Sequence, residues 1–239
     1  MCRHAAWLGA PRPLTWLIHE PEHGLLRQSY APRRQRAGLV NADGYGMGWY
    51  DPARPEPVRY RRSVPIWTDA NLSGLAQVAR SACLLAAVRS ATVGMPIEES
   101  ATAPFADGRW LLSHNGRVAR DALRDLSDDL ADRVESACDA AWVAAAVFLR
   151  GRAGLGLGDA LAEVVVKAGT KDPGARLNLL ACDGASIAAT VWGDTLFTHR
   201  LPDGVLVASE PLDDLPGWQA VPERSLLTVT RDDVRVQPL

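Results

Sequence analysis

The chain has 239 residues, 47% of them hydrophobic and 23% charged. That is an ordinary globular mix, which excludes a chain too polar to bury a core. A net charge of −2 leaves no electrostatic footprint for nucleic acid. The longest apolar run, residues 140–149, is far short of the roughly 20 residues that span a bilayer. Residues 1–4 carry no secretory pattern, so a cytoplasmic protein without membrane or nucleic-acid partners is expected. Four cysteines without a C-x-x-C pair indicate neither a disulfide scaffold nor a thiolate zinc site.

The pattern predicts a first strand over 2–8, directly at the amino terminus. Residues 41–50 (NADGYGMGWY) form a glycine-rich segment that either brings backbone close to a ligand or makes a tight loop feeding a strand. Its spacing is not that of a dinucleotide loop. The proline-rich stretch 52–57 reads as a loop between strands, and apolar runs at 83–88 and 109–113 read as buried strands. The middle is helical: an amphipathic helix over 119–130, an Ala-rich one over 134–149 and a third over 157–167. Glycines between 151 and 158 read as a helix-to-helix loop. Strands then return at 177–181 and 186–192 around an Asp183-Gly184 turn, at 205–208 after Pro202-Asp-Gly204, and at 225–230. Strands, helices, then strands again predict an α+β layered fold with antiparallel sheets, built as one domain.

Four features carry possible chemistry. Cys2 is small enough for Met1 to be removed by methionine aminopeptidase. The exposed α-amine, with a pKa near 7.7–8.0, could then serve as base toward its own thiol; alternatively a cysteine at position two means nothing. Asn115-Gly116, after an apolar strand, could direct an amide and a backbone N–H at one oxyanion, or could be a simple turn. Arg89 ends a buried strand and needs an anion, either an internal carboxylate or that of a ligand. Asp139 starts the Ala-rich helix, where a dipole-stabilised carboxylate is the plain alternative. Taken together, a cation, an anion, a nucleophile and an oxyanion hole are what recognition and cleavage of a γ-glutamyl amide require.

Two other patterns are set aside. His19-Glu-Pro-Glu-His23 matches H-E-x-x-H literally, but Pro21 breaks the helix that would align the histidines, so no metal is expected there. It reads as a loop between two short helices. The arginines at 33–36 and 59–62 read as solvated faces.

Met-Cys at the terminus, Asn-x-Asp-Gly-x-Gly-x-Gly-Trp at 41–49, Arg-Ser-Ala-Thr at 89–92 and Ser-His-Asn-Gly at 113–116 together resemble a class II glutamine amidotransferase domain of the N-terminal-nucleophile hydrolases. Cys2-Arg-His4, Trp7-Leu-Gly-Ala-Pro11, residues 28–34 and Ser209-Glu-Pro-Leu-Asp-Asp214 extend the resemblance over nearly the whole chain to the γ-glutamyl amidohydrolases of ergothioneine biosynthesis. The resemblance implies a four-layer αββα sandwich over 2–239 with Met1 removed. It also implies hydrolysis of γ-glutamyl-hercynylcysteine sulfoxide to glutamate and hercynylcysteine sulfoxide, without a cofactor. By motif, Cys2 is nucleophile with its α-amine as base, and Asn115 and Gly116 form the oxyanion hole. Arg89, supported by Thr92, holds the substrate α-carboxylate, and Asp139 its α-ammonium. Asp139 sits in a looser match (Ser-Ala-Cys-Asp), and Val93 stands where many relatives have histidine. With no acceptor domain expected after the sandwich, a free-standing hydrolase is favoured. A glutaminase subunit feeding ammonia to a separate synthase, or a non-catalytic γ-glutamyl-binding subunit, remains open; oligomeric state is not legible.

Overall fold

The computed structural model describes residues 2–36, 38–127 and 133–239. Its centre is two antiparallel sheets lying face to face. The first has seven strands in the order β11 (Trp218–Ala220), β9 (Phe197–Leu201), β10 (Gly204–Ala208), β1 (Arg3–Pro13), β4 (Arg80–Val88), β2 (Tyr45–Trp49) and β3 (Val58–Arg62). The second has six, in the order β13 (Val234–Pro238), β12 (Ser225–Val229), β8 (Ile187–Val191), β7 (Arg176–Cys182), β6 (Trp110–Arg117) and β5 (Phe105–Asp107).

The period-2 alternation of each strand assigns its residues to layers. From β1, Ala6 and Leu8 pack between the sheets with Cys83, Leu85, Leu180 and Ile187. Ala5 and Trp7 pack outward against the short helices α1 (Thr15–Ile18), α2 (Leu25–Tyr30) and α3 (Leu72–Val78). On the far side, Leu112, Leu177 and Leu179 pack against α4 (Arg120–Ser127), α5 (Asp139–Arg152) and α6 (Leu157–Lys171). The result is the expected αββα sandwich, whose strands at 2–8, 83–88, 109–113, 177–181, 186–192, 205–208 and 225–230 lie where the pattern placed them, to within a few residues.

Several local expectations change. The Ala-rich helix begins at Asp139, because residues 135–138 form bends rather than a first turn. The helix expected over 119–130 spans Arg120–Ser127, and its last positions lie outside the described residues. The glycines of the 41–50 segment serve packing. A Cβ on Gly46 would lie 2.2 Å from the Ala103 carbonyl oxygen, and one on Gly48 would lie 2.5 Å from Leu111 Cδ1. Strand β2 is therefore stripped of side chains on that face because other protein atoms cross it. Arg59–Arg62 is no loose solvated face: it belongs to edge strand β3, where Arg59 and Arg61 both reach Glu135 at 2.8 Å. Short strands β5, β9, β11 and β13 and helix α3 were not anticipated, since three to seven residues hold too few periods to register. His19–His23 does lie between two short helices, α1 and α2.

One consequence of register positions everything that follows. Arg3 pairs with Val88 and Tyr45 also pairs with Val88, so the start of β1, the end of β4 and the start of β2 share one edge. Cys2, Arg89 and Gly44 are thereby brought together from distant parts of the chain.

Candidate active site

Cys2 sits half-buried just ahead of β1. Its backbone nitrogen donates to Asn115 Oδ1 at 3.0 Å, and its thiol lies 3.9 Å from the Ser90 carbonyl oxygen. Asn115 and Gly116 do not form a turn. They lie within β6, paired to Asn178 and Leu177 of β7, and this fixes the amide far more rigidly than a hairpin tip would. Alternation sends Leu111, Ser113 and Asn115 to the inter-sheet side and Leu112 to the helical side. Gly116 has no room for a side chain, since a Cβ there would lie 1.9 Å from the Arg176 carbonyl oxygen.

Arg89 is 7% exposed, and among the described residues its guanidinium donates to two carbonyls, Pro96 O at 2.9 Å and Asp43 O at 3.4 Å. Both acceptors are neutral; the charge also acts on the Glu98 carboxylate, whose pKa is lowered first by the Ser136 and Ser100 hydroxyls and then by Arg89, and the guanidinium keeps further N–H groups for another acceptor. Asp43 locks the loop around it, donating its N–H to Arg89 O (2.9 Å) and accepting from Ala91 N (2.8 Å). Cys2, Arg89, Thr102, Phe105, Ser113 and His114 line one small cavity, with Ala140 at its wall. Asp139 stands immediately behind Ala140 at the head of α5. Its carboxylate accepts from Val118 N (3.1 Å) and Ala140 N (2.9 Å), which leaves lone pairs unused. Thr92 is half-buried in the same loop as Arg89 but does not line the cavity. The structure therefore joins Cys2 to Asn115 by a hydrogen bond and to Arg89 through the shared cavity, whereas neither Asp139 nor Thr92 lines that cavity.

Sequence reasoning missed the polar layer beneath. Arg3 and Asp194, both fully buried, form an ion pair at 3.0 Å, and Asp194 Oδ2 also accepts from Asn115 Nδ2 at 3.3 Å. Asn178 clamps the loop carrying Asp194: its amide donates to Asp194 O and its oxygen accepts from Trp192 N and Asp194 N. His4 Nδ1 lies 3.1 Å from Ser113 Oγ. Burial first, and then the charges of Arg3 and His114, push the pKa of His4 down to about 3, so it is neutral at physiological pH. The available signal was Arg3 itself, a charge just ahead of the apolar run 5–8; nothing local marks Asp194.

The sandwich, with a cysteine presented at the start of a central strand beside an asparagine amide, has the fold of class II glutamine amidotransferase domains. Among solved structures it is similar to a class II glutamine aminotransferase domain protein of Silicibacter pomeroyi, at a TM-score of 0.73 and 23% identity over 99% of both chains. It is also similar to glutamine phosphoribosylpyrophosphate amidotransferase of B. subtilis (TM-score 0.72, 15% identity), matching all of this chain and 49% of that one. Over its full length it is 53% identical to the γ-glutamyl-hercynylcysteine sulfoxide hydrolase of Mycolicibacterium smegmatis, covering all of both chains. It is 51% identical to the enzyme of that name in Mycobacterium tuberculosis, of which 97% is covered. No protein-family model matches. The chain belongs to the family of γ-glutamyl-hercynylcysteine sulfoxide hydrolases.

Proposed function

We propose that the protein hydrolyses the γ-glutamyl amide of γ-glutamyl-hercynylcysteine sulfoxide to glutamate and hercynylcysteine sulfoxide, with Cys2 as nucleophile. The observation that carries the mechanism is the 3.0 Å hydrogen bond from the Cys2 nitrogen to Asn115 Oδ1. Met1 lies outside the described residues; with it removed, that nitrogen becomes the α-amine, already held beside its own thiol. In its neutral form the amine takes the thiol proton, and the thiolate attacks the γ-carbonyl carbon. The resulting oxyanion is received by the second N–H of the Asn115 amide and by the Gly116 N–H. Each such donor typically contributes about 10²–10³ in rate. The ammonium then protonates the leaving amine, and water cleaves the γ-glutamyl thioester to free glutamate and the thiol.

Recognition of the glutamyl end falls to Arg89, whose guanidinium pairs with the α-carboxylate, with Thr92 in support. Asp139 takes the α-ammonium. The substrate is a small molecule and the site is proposed to work in the cytoplasm. The deciding experiment measures glutamate release from γ-glutamyl-hercynylcysteine sulfoxide and, in parallel, from glutamine. Rapid release from the sulfoxide with little from glutamine is expected. Release from glutamine alone would replace this reading with an ammonia-supplying subunit. Silence on both, with Met1 shown by intact mass to be absent, would leave a binding protein.

A further inference from the structure

Burying an ion pair stabilises a fold little, because desolvation consumes most of the attraction. Arg3 and Asp194 are nonetheless both fully buried, 191 residues apart in sequence and one hydrogen bond from the asparagine that touches Cys2. We propose that this ion pair is a positioning device: Asp194, held by Arg3, sets which way round the Asn115 amide sits and tunes the charge at the Cys2 amine. The proposal rests on the Cys2 chemistry proposed above.

The argument is one of donors and acceptors. A side-chain amide has an oxygen end and a nitrogen end of nearly the same shape, and only its partners decide between them. Here Oδ1 of Asn115 accepts from the Cys2 nitrogen, while Nδ2 donates to Asp194 Oδ2. Turned over, Nδ2 would face the Cys2 N–H and Oδ1 would face a carboxylate, two repulsive contacts in place of two hydrogen bonds. The orientation holds while residue 194 presents only acceptor oxygens to Nδ2. Arg3 Nη2 donates to the same Oδ2 at 3.0 Å and fixes that oxygen in place. Asp194 is itself immobilised: Oδ1 accepts from Thr195 N at 2.8 Å, and its backbone N–H and carbonyl are both tied to Asn178. With Asn115 Oδ1 committed to the amine and one N–H committed to Asp194, the remaining N–H is the one that can meet an oxyanion.

Replacing Asp194 by asparagine keeps the shape but offers a donor where only acceptors stood, so Asn115 can turn over, and it leaves the Arg3 charge unopposed. We expect Asp194→Asn to lower kcat for glutamate release at least about tenfold while KM stays within twofold, since Arg89 and Asp139 are untouched. The unopposed positive charge disfavours the ammonium and favours the thiolate. The pH midpoint of Cys2 alkylation by iodoacetamide, followed by mass, should therefore move to lower pH by about half a unit or more. Cys83, Cys138 and Cys182 are buried, so the reagent reports Cys2. If Asp194→Asn does not fold, Arg3→Met combined with Asp194→Leu removes both charges at similar volume. It should lose kcat to the same extent, with the alkylation midpoint near that of the wild type. A kcat within twofold of wild type in whichever variant folds, or an Asp194→Asn midpoint that does not move, overturns the proposal. Should the wild type release no glutamate, the proposed function falls, and the alkylation midpoint of Asp194→Asn still decides the positioning role.

Discussion

The layer between the two sheets has two regions built on the same strands. Toward the middle and far end of β1 it is apolar, with Leu8, Cys83, Leu85, Leu180 and Ile187 in contact. At the Cys2 end the same inward positions of the same strands carry Ser113, Asn115 and Asn178, with Asp194 on the loop beyond β8, all fully buried or nearly so. The roomier cavity, about 460 Å³, lies at the opposite end against Leu8, Gly9, Asp203 and Arg200, with no Cys, Ser or Thr among the described residues that line it. Size therefore does not mark the end proposed to be reactive. What marks it is a switch in side-chain chemistry along strands whose geometry does not change: one end supplies burial energy, and the other spends it to hold polar groups in fixed orientation.

Substitutions can break this contrast, beginning with the largest effect. Cys2→Ala should abolish turnover, by more than about 10⁴-fold, with no loss of thermal stability; glutamate release and a melting curve test both halves. Leu180→Ala, in the apolar region and 0% exposed, should cost about 2–5 kcal/mol of stability. Its kcat per folded molecule should match wild type, which denaturant unfolding alongside kinetics would check. Arg89→Met should raise KM about 10- to 100-fold, equivalent to about 1.4–2.8 kcal/mol, and an unchanged KM would remove Arg89 from the site.

The polar end should also respond to pH. Because His4 stays neutral in the fold down to about 3 but charges near 6.5 when unfolded, the unfolded chain binds the extra proton between those values. The contribution is fully present above about pH 6.5 and is lost as pH falls toward 3, at up to about 1.4 kcal/mol per pH unit. Melting temperatures across that window should show the slope, and His4→Gln should flatten it. The smallest effect belongs to the rim: Glu135→Gln loosens the Arg59 and Arg61 pairs for about 1 kcal/mol or less, measurable by chemical denaturation.

Much of this molecule was legible in sequence for a physical reason. Long buried strands and amphipathic helices repeat their pattern over enough residues to be read, so the succession of strands, helices and strands already implied the layered fold. Cys2 and Arg89 could be singled out because each stands beside a strand end with chemistry its neighbours lack, whereas Asn115-Gly116, read as following a strand, lies within β6. The short edge strands were not legible. Neither was the reason for the glycines of β2, since the atoms that crowd Gly46 and Gly48 come from residues 103 and 111.

Sequence by itself determined which groups are available: a cysteine able to carry its own base, an amide, a cation and a carboxylate, in an order that resembles one family. Tertiary structure alone decided how they act on one another. The register of β1 against β4 placed Cys2 beside Arg89, and the stacking of the sheets placed Asn115 under the Cys2 nitrogen. The loop after β8 delivered Asp194 to both Arg3 and Asn115. Hydrogen bonds act over about 3 Å, while these partners lie 79 to 191 residues apart, so only the folded chain brings them within range.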